Sequence, residues 1–69
     1  MGISIGFKAK YSIGQMVYLR HDPEQCERMV TYYVYNGIFL TYMLSCGEAQ
    51  TQHFEYEITD TKNILYQYN

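Results

Sequence analysis

Hydrophobic and polar positions along the chain predict β-strands separated by turns. The clearest signal is a pair of apolar runs, residues 29–35 and 38–44, in which β-branched and aromatic side chains predominate. Asn36 and Gly37 separate the two runs, and this dipeptide supplies the two positive φ angles of a type I′ turn. The pattern therefore predicts a β-hairpin with a two-residue turn.

Weaker signals of the same kind place further elements around the hairpin. Residues 53–58 alternate polar and apolar side chains, so Phe54, Tyr56 and Ile58 are expected to face the interior from one strand. Composition and turn residues assign the remaining segments: a strand over residues 13–20, a loop over 21–25 with room for one helical turn through residue 27, a loop over 46–50, a turn over 59–62, and a short final strand or helical turn over 63–66.

The predicted hairpin is apolar on both faces. A two-residue turn opposes Tyr35 to Ile38 and Val34 to Phe39. One face then carries the residues that we predict to form a binding surface: Tyr33, Tyr35, Ile38, Leu40 and Tyr42. The opposite face carries Val30, Tyr32, Val34, Phe39, Thr41 and Met43. Three explanations stay open: a coiled barrel with a bulge, an interface with a second copy or a partner, and a small-molecule pocket floored by tyrosines.

Composition and charge narrow the class of protein. The chain has 69 residues, of which 48% are hydrophobic and nine are Tyr, so we expect one small folded domain. Residues 1–10 are assigned to an N-terminal arm or extra strand, and residues 11–69 to the domain. The net charge of −2 argues against non-specific nucleic-acid binding. Neither a membrane span nor a secretory signal is recognisable, so a cytoplasmic location is expected.

Several side chains have the chemistry of ligands, nucleophiles or acid-base groups: His21, Cys26, Cys46, His53, Glu55 and Glu57. The cysteines and histidines lack the spacing of a zinc finger, and a reducing cytoplasm favours free thiols. Cys46 and His53 could pair as nucleophile and base, but a buried structural thiol is the commoner role. Glu55 and Glu57 would share one strand face, which is usually a solvent face. We therefore expect no metal site, no cofactor and no catalysis.

The order of elements resembles that of SH3-like barrels, including Tudor-like and KOW-like ones. The segment Tyr11 to Leu19 is similar to their opening pattern of aromatic, hydrophobic, Gly, polar and Val positions, and the loop around Asp22 and Pro23 falls where their long first loop lies. The likeness covers residues 11–66 and implies an all-β, five-stranded SH3-like barrel. No complete aromatic cage or basic KOW loop is present, so methyl-lysine and RNA binding are not implied.

The chain is also similar to short proteins encoded by phages and mobile elements of gut bacteria. Ser45-Cys46-Gly47 and residues 53–58 carry this likeness. This likeness implies no activity of its own. The small size, the aromatic surface of the hairpin and the absent catalytic motif favour a non-catalytic interaction module that forms a homo-oligomer. Such a module could be an inhibitor or sequestering protein that acts on a host protein or a small nucleotide signal. The alternative is a structural component of a phage particle or larger complex.

Overall fold

The computed structural model describes residues 8–62 and shows an all-β protein, as the sequence predicts. Five antiparallel strands form one sheet, in which the strand order is β4-β3-β2-β1-β5 and the edges do not close on each other. The elements are β1 (Met16–Leu19), β2 (Arg28–Tyr35), β3 (Leu40–Cys46), β4 (Ala49–Phe54), a 3-10 turn (Glu55–Glu57) and β5 (Ile58–Thr59). The predicted final strand over residues 63–66 and most of the predicted arm over residues 1–10 lie outside the described residues.

The core is small and is built from every strand except β4. Its buried members are Tyr11, Val17, Val30, Tyr42, Leu44 and Ile58. Two hydroxyl groups join the segment before β1 to the sheet. Tyr11 donates to the carbonyl of Ile58 at 3.0 Å, and Tyr33 donates to the carbonyl of Tyr11 at 2.7 Å. These bonds fix the start of the domain against β2 and β5.

The predicted hairpin is present, but its predicted register is wrong. Tyr35 pairs with Leu40 rather than with Ile38, so the loop has four residues, from Asn36 to Phe39. The side-chain oxygen of Asn36 accepts the N–H groups of Ile38 at 2.9 Å and Phe39 at 2.8 Å. An asparagine side chain that replaces a backbone acceptor favours this wider loop over the two-residue turn.

A β-bulge in β2 also changes the predicted faces. The register shifts between Val30 and Tyr32, which leaves Thr31 without a partner residue on β3. Val30 therefore pairs with Leu44 on the core face and is fully buried, whereas Tyr32 on the opposite face is 49% exposed. The Thr31 hydroxyl donates to the carbonyl of Met43 at 3.1 Å and stabilises the bulge.

The connection between β3 and β4 is shorter than the predicted loop over residues 46–50. Cys46 pairs with Ala49, so the turn consists of Gly47 and Glu48 alone. Gly47 has a φ angle of +63°. Glycine at the first of two turn residues is typical of a type II′ hairpin, whose twist matches that of the flanking strands.

The prediction of one strand over residues 53–58 is wrong. β4 ends at Phe54, and the chain leaves the sheet as the 3-10 turn before β5 begins at Ile58. Of the three side chains expected to face inward, Ile58 is buried, whereas Phe54 is 37% exposed and Tyr56 is 73% exposed. The Glu57 carboxylate accepts the Phe54 N–H at 3.2 Å and so caps the start of the turn.

Candidate interaction surface

Four large apolar side chains form an exposed cluster where the β2–β3 loop meets the end of β4. We call it the aromatic patch, and its members are Ile38, Phe39, Phe54 and Tyr56. Ile38 is 76% and Phe39 56% exposed, in addition to the exposure of Phe54 and Tyr56 given above. The Phe54 ring meets the Phe39 ring edge-on at a centroid distance of 5.9 Å and stacks on the Tyr56 ring at 5.4 Å. Contiguous exposed surface of this kind marks interaction sites on soluble proteins.

The 3-10 turn fixes Tyr56 within the patch through several polar contacts. The Arg20 Nε donates to the carbonyl of Tyr56 at 3.1 Å, which links the turn to the end of β1. His53 Nδ1 lies 2.6 Å from Glu57 Oε1. The hydrogen bond from His53, with a further one from the N–H of Phe54, holds the pKa of the Glu57 carboxyl below its usual value. The backbone that carries Tyr56 is thus restrained from both sides.

A groove of about 540 Å³ lies beside the aromatic patch. The patch lines it together with Lys8, Leu40 and Glu55. An apolar lining with a few charged groups at the rim is the usual composition of a binding groove. The arrangement can hold an apolar side chain and orient the group that carries it through Lys8 or Glu55.

The predicted binding residues are divided between the core and the surface. Tyr42 is fully buried, and Tyr33 and Leu40 are half-buried against the core. Tyr35 is 45% exposed and Ile38 is 76% exposed. Only Ile38 and Leu40 line the groove, so the five residues do not form one surface.

Tyr42 supports the groove from inside the domain. Its hydroxyl accepts the Lys10 N–H at 2.8 Å and donates to Glu55 Oε1 at 2.8 Å. The rings of Tyr11 and Tyr33 meet its ring edge-on at 5.5 and 5.6 Å. Burial, and secondly the hydrogen bond to Glu55, raises the pKa of Tyr42 to about 12. Tyr42 is therefore a neutral core residue that positions one charged group of the groove.

Sequence reasoning missed Phe39, Phe54 and Tyr56. The sequence pattern places Phe39 in a strand, and the alternation of residues 53–58 places the other two in the interior. The sequence carries no signal of the turn at Tyr56, because polar residues on both sides of an apolar one are also the pattern of a half-buried strand.

A second cavity, of about 350 Å³, lies between the loop after β1 and the 3-10 turn. The Asp22 carboxylate accepts the N–H groups of Cys26 and Glu24, each at 3.0 Å, and lies 3.5 Å from Arg28. The hydrogen bond from Cys26 is the largest of the influences that lower the pKa of Asp22. With Gln25 at a φ angle of +51°, these bonds replace the helical turn predicted through residue 27. The charged groups of this cavity hold the loop in place.

Cys26 and Cys46 form a disulfide between this loop and the end of β3. The prediction of free thiols is therefore wrong. As a bonded sulfur, Cys46 cannot act as the nucleophile that its spacing from His53 suggested. Within residues 8–62, no group of three or more His, Cys, Asp or Glu side chains is placed to hold a metal ion.

His53 lies between a hydroxyl and a carboxylate. Its Nε2 is 2.6 Å from Thr51 Oγ1, and its Nδ1 faces Glu57, which is the order of groups in a hydrolytic triad. Thr51 is an exposed residue of an edge strand, and neither Thr51 nor His53 lines the two cavities described above. The two contacts of His53 join β4 to the 3-10 turn. The prediction that Glu55 and Glu57 share a strand face is wrong, because both lie in that turn.

Two further findings bear on function. Among residues 8–62, no helix has the length and apolar character that a membrane span requires. Comparison of the sequence with protein-family models, with curated proteins and with solved structures gives no significant match.

Proposed function

We propose that this chain is a non-catalytic interaction module that binds an apolar segment of a partner protein on the aromatic patch. The observation that carries the proposal is the exposed stack of Phe39, Phe54 and Tyr56 beside a groove of about 540 Å³. Aromatic side chains dominate the binding energy of protein interfaces, since they contribute a large contact area and lose few rotamers.

The patch is arranged in advance of binding. Phe54 is held between two other rings, and the 3-10 turn behind Tyr56 is fixed by Arg20 and Glu57. Side chains that are already ordered lose little conformational entropy when a partner covers them. Full burial of one such side chain stabilises a complex by roughly 1.5–3 kcal/mol.

Charged groups at the groove favour a partner segment that combines apolar and acidic residues. Within the described residues, Lys8 has no ion-pair partner, whereas the Glu55 carboxylate accepts a hydrogen bond from the Tyr42 hydroxyl. A carboxylate next to the apolar anchor of the partner would pair with Lys8. Such a pair at the rim contributes to orientation and association rate more than to affinity.

The SH3-like architecture is proposed on the strand connections. β1 pairs with both β2 and β5, so the first and last strands are neighbours, and the bulge at Thr31 bends β2. Both features suit a sheet that coils toward a barrel. Two narrower roles stay predictions from the sequence. One is a cytoplasmic inhibitor or sequestering protein of phage or mobile-element origin, and the other is a structural component of a particle.

Site-specific photo-cross-linking tests the proposed function. The photoreactive residue benzoylphenylalanine replaces Tyr56 or Ile38 in the protein expressed in its native cells. Both positions should give a cross-linked adduct with the same partner protein. The exposed residue Thr61 is the matched control position and should give no such adduct. An adduct of equal yield from Thr61, or none from either patch position, would contradict the proposal. If a nucleotide protects both patch positions from cross-linking, the ligand is a stacked base rather than a protein segment.

A further inference from the structure

β4 forms an open edge of the sheet. Within residues 8–62, only β3 pairs with it. Its first four residues, Ala49–Gln52, are all exposed, and none is charged or Pro. Edge strands in natural proteins are usually protected by Lys, by Pro, by a bulge or by being very short. β5, at the other edge, has only two residues, whereas β4 has none of these protections.

The turn before β4 shows which of its backbone groups point away from β3. Cys46 and Ala49 flank a two-residue turn, so they form the hydrogen-bonded pair that closes the hairpin. Alternation along an antiparallel ladder then directs the N–H and C=O groups of Gln50 and Gln52 outward.

The next outward-facing residue confirms this alternation and ends the open edge. Phe54 donates its N–H to the Glu57 carboxylate at 3.2 Å, rather than to β3. The open edge therefore consists of the backbone groups of Gln50 and Gln52. A second strand that pairs with this edge must satisfy these groups and no others.

A second copy of the chain meets this requirement in a single register. When Gln50 opposes Gln52 of the second copy, both residues of each chain exchange hydrogen bonds across the edge. Thr51 then opposes its own counterpart on a two-fold axis, and Thr–Thr pairs are favourable across antiparallel strands. A shift of two residues would bring Phe54, whose N–H is occupied, or Glu48 of the turn into the ladder.

We propose that this chain forms a symmetric dimer by antiparallel pairing of β4 with β4 of a second copy, centred on Thr51. Although each chain carries a net charge of −2, no charged side chain lies between Ala49 and Gln52. Like charges therefore do not meet along the paired edge. The dimer goes beyond the proposed function, because it uses a different surface and requires no partner protein.

Purified protein tests the dimer directly. Light scattering on the wild-type chain at high micromolar concentration should give twice the mass of 8.2 kDa. Thr51→Lys places two ammonium groups opposite each other at the centre of the interface, and it should weaken the dimer at least tenfold in sedimentation equilibrium. Gln50→Pro removes one outward N–H and should weaken it similarly, because an edge strand tolerates Pro where its N–H faces outward. Thr61→Lys is the matched control and should dimerise normally.

Each outcome decides the question. A wild-type chain that stays at 8.2 kDa up to millimolar concentration overturns the proposal, as does a dimer that Thr51→Lys leaves intact. If Tyr35→Ser abolishes the dimer and the two edge variants do not, the interface lies on the hairpin face instead. Tyr56→Ser should dimerise normally, so failure of the dimer and failure of the proposed function are separable.

Discussion

Removal of the Tyr42 hydroxyl tests the assignment of this residue to the core. Tyr42→Phe keeps the ring and its contacts with Tyr11 and Tyr33, but removes the partner of the Lys10 N–H and of Glu55. One backbone hydrogen bond contributes about 1 kcal/mol and one to a carboxylate about 1.5–3 kcal/mol, while exposed Glu55 regains water. We therefore expect a loss of about 2 kcal/mol in the free energy of unfolding. In a domain of this size, that loss lowers Tm by roughly 10 °C.

The raised pKa of Tyr42 adds a dependence on alkaline pH. The unfolded tyrosine ionises near its ordinary pKa of 10.0, whereas the folded one does so at about 12. The stabilisation from the neutral form is therefore complete below pH 10 and is lost as the pH rises toward 12. The rise in pKa corresponds to about 3 kcal/mol, so the stability of Tyr42→Phe should approach that of the wild type in this range.

Urea unfolding from pH 7 to pH 12 provides the assay. Tyr32→Phe is the matched control, because Tyr32 is 49% exposed and its hydroxyl takes no part in the contacts of Tyr42. It should change the stability by less than about 0.5 kcal/mol. If Tyr42→Phe is as stable as Tyr32→Phe at pH 7, or if the difference does not shrink above pH 10, the assigned role of the hydroxyl is wrong.

Three further predictions concern the disulfide, the acidic groups and the patch. Reduction of the Cys26–Cys46 disulfide, which closes a loop with a sequence separation of 20, should lower the stability by about 3 kcal/mol; an unchanged Tm with dithiothreitol would contradict the pairing. The lowered pKa values of Asp22 and Glu57 mean that their stabilisation is present above the ordinary carboxyl pKa and is lost as the pH falls through the lowered values. Asp22→Asn should therefore reduce the fall in the free energy of unfolding at acid pH. A fall equal to that of the wild type would refute the role of the Asp22 carboxylate. Tyr56→Ser should leave the free energy of unfolding within about 0.5 kcal/mol of wild type, and a larger loss would show that the patch belongs to the core.

The sequence was sufficient to predict the all-β class and the hairpin around Asn36, because turn propensity and β-branched composition act locally. It was not sufficient to predict the register. Two local arrangements compete at Asn36, a two-residue turn and a loop closed by the asparagine side chain, and both keep Leu40 on the same face of the sheet, so the hydrophobic pattern does not choose between them. The bulge at Thr31 likewise depends on which side chain of β2 packs against Leu44.

The aromatic patch was hidden by a misleading alternation. Phe54, Tyr56 and Ile58 have the spacing of one buried strand face, yet the strand ends at Phe54, whose N–H bonds the Glu57 carboxylate at the start of the 3-10 turn. The disulfide was hidden for a different reason. Its pairing depends on where the loop after β1 lies relative to the end of β3, which is a tertiary property that cysteine spacing does not encode.

Cross-linking at Tyr56 in the presence and absence of the Phe54 ring tests the central claim most directly. Phe54 stacks on Tyr56, so Phe54→Ser removes the centre of the patch while the backbone bonds of the 3-10 turn remain available. The account predicts one partner protein cross-linked from position 56 in the wild-type background and at least a tenfold lower yield with Phe54→Ser. An equal yield in the two backgrounds would contradict the claim that the aromatic patch is the binding surface.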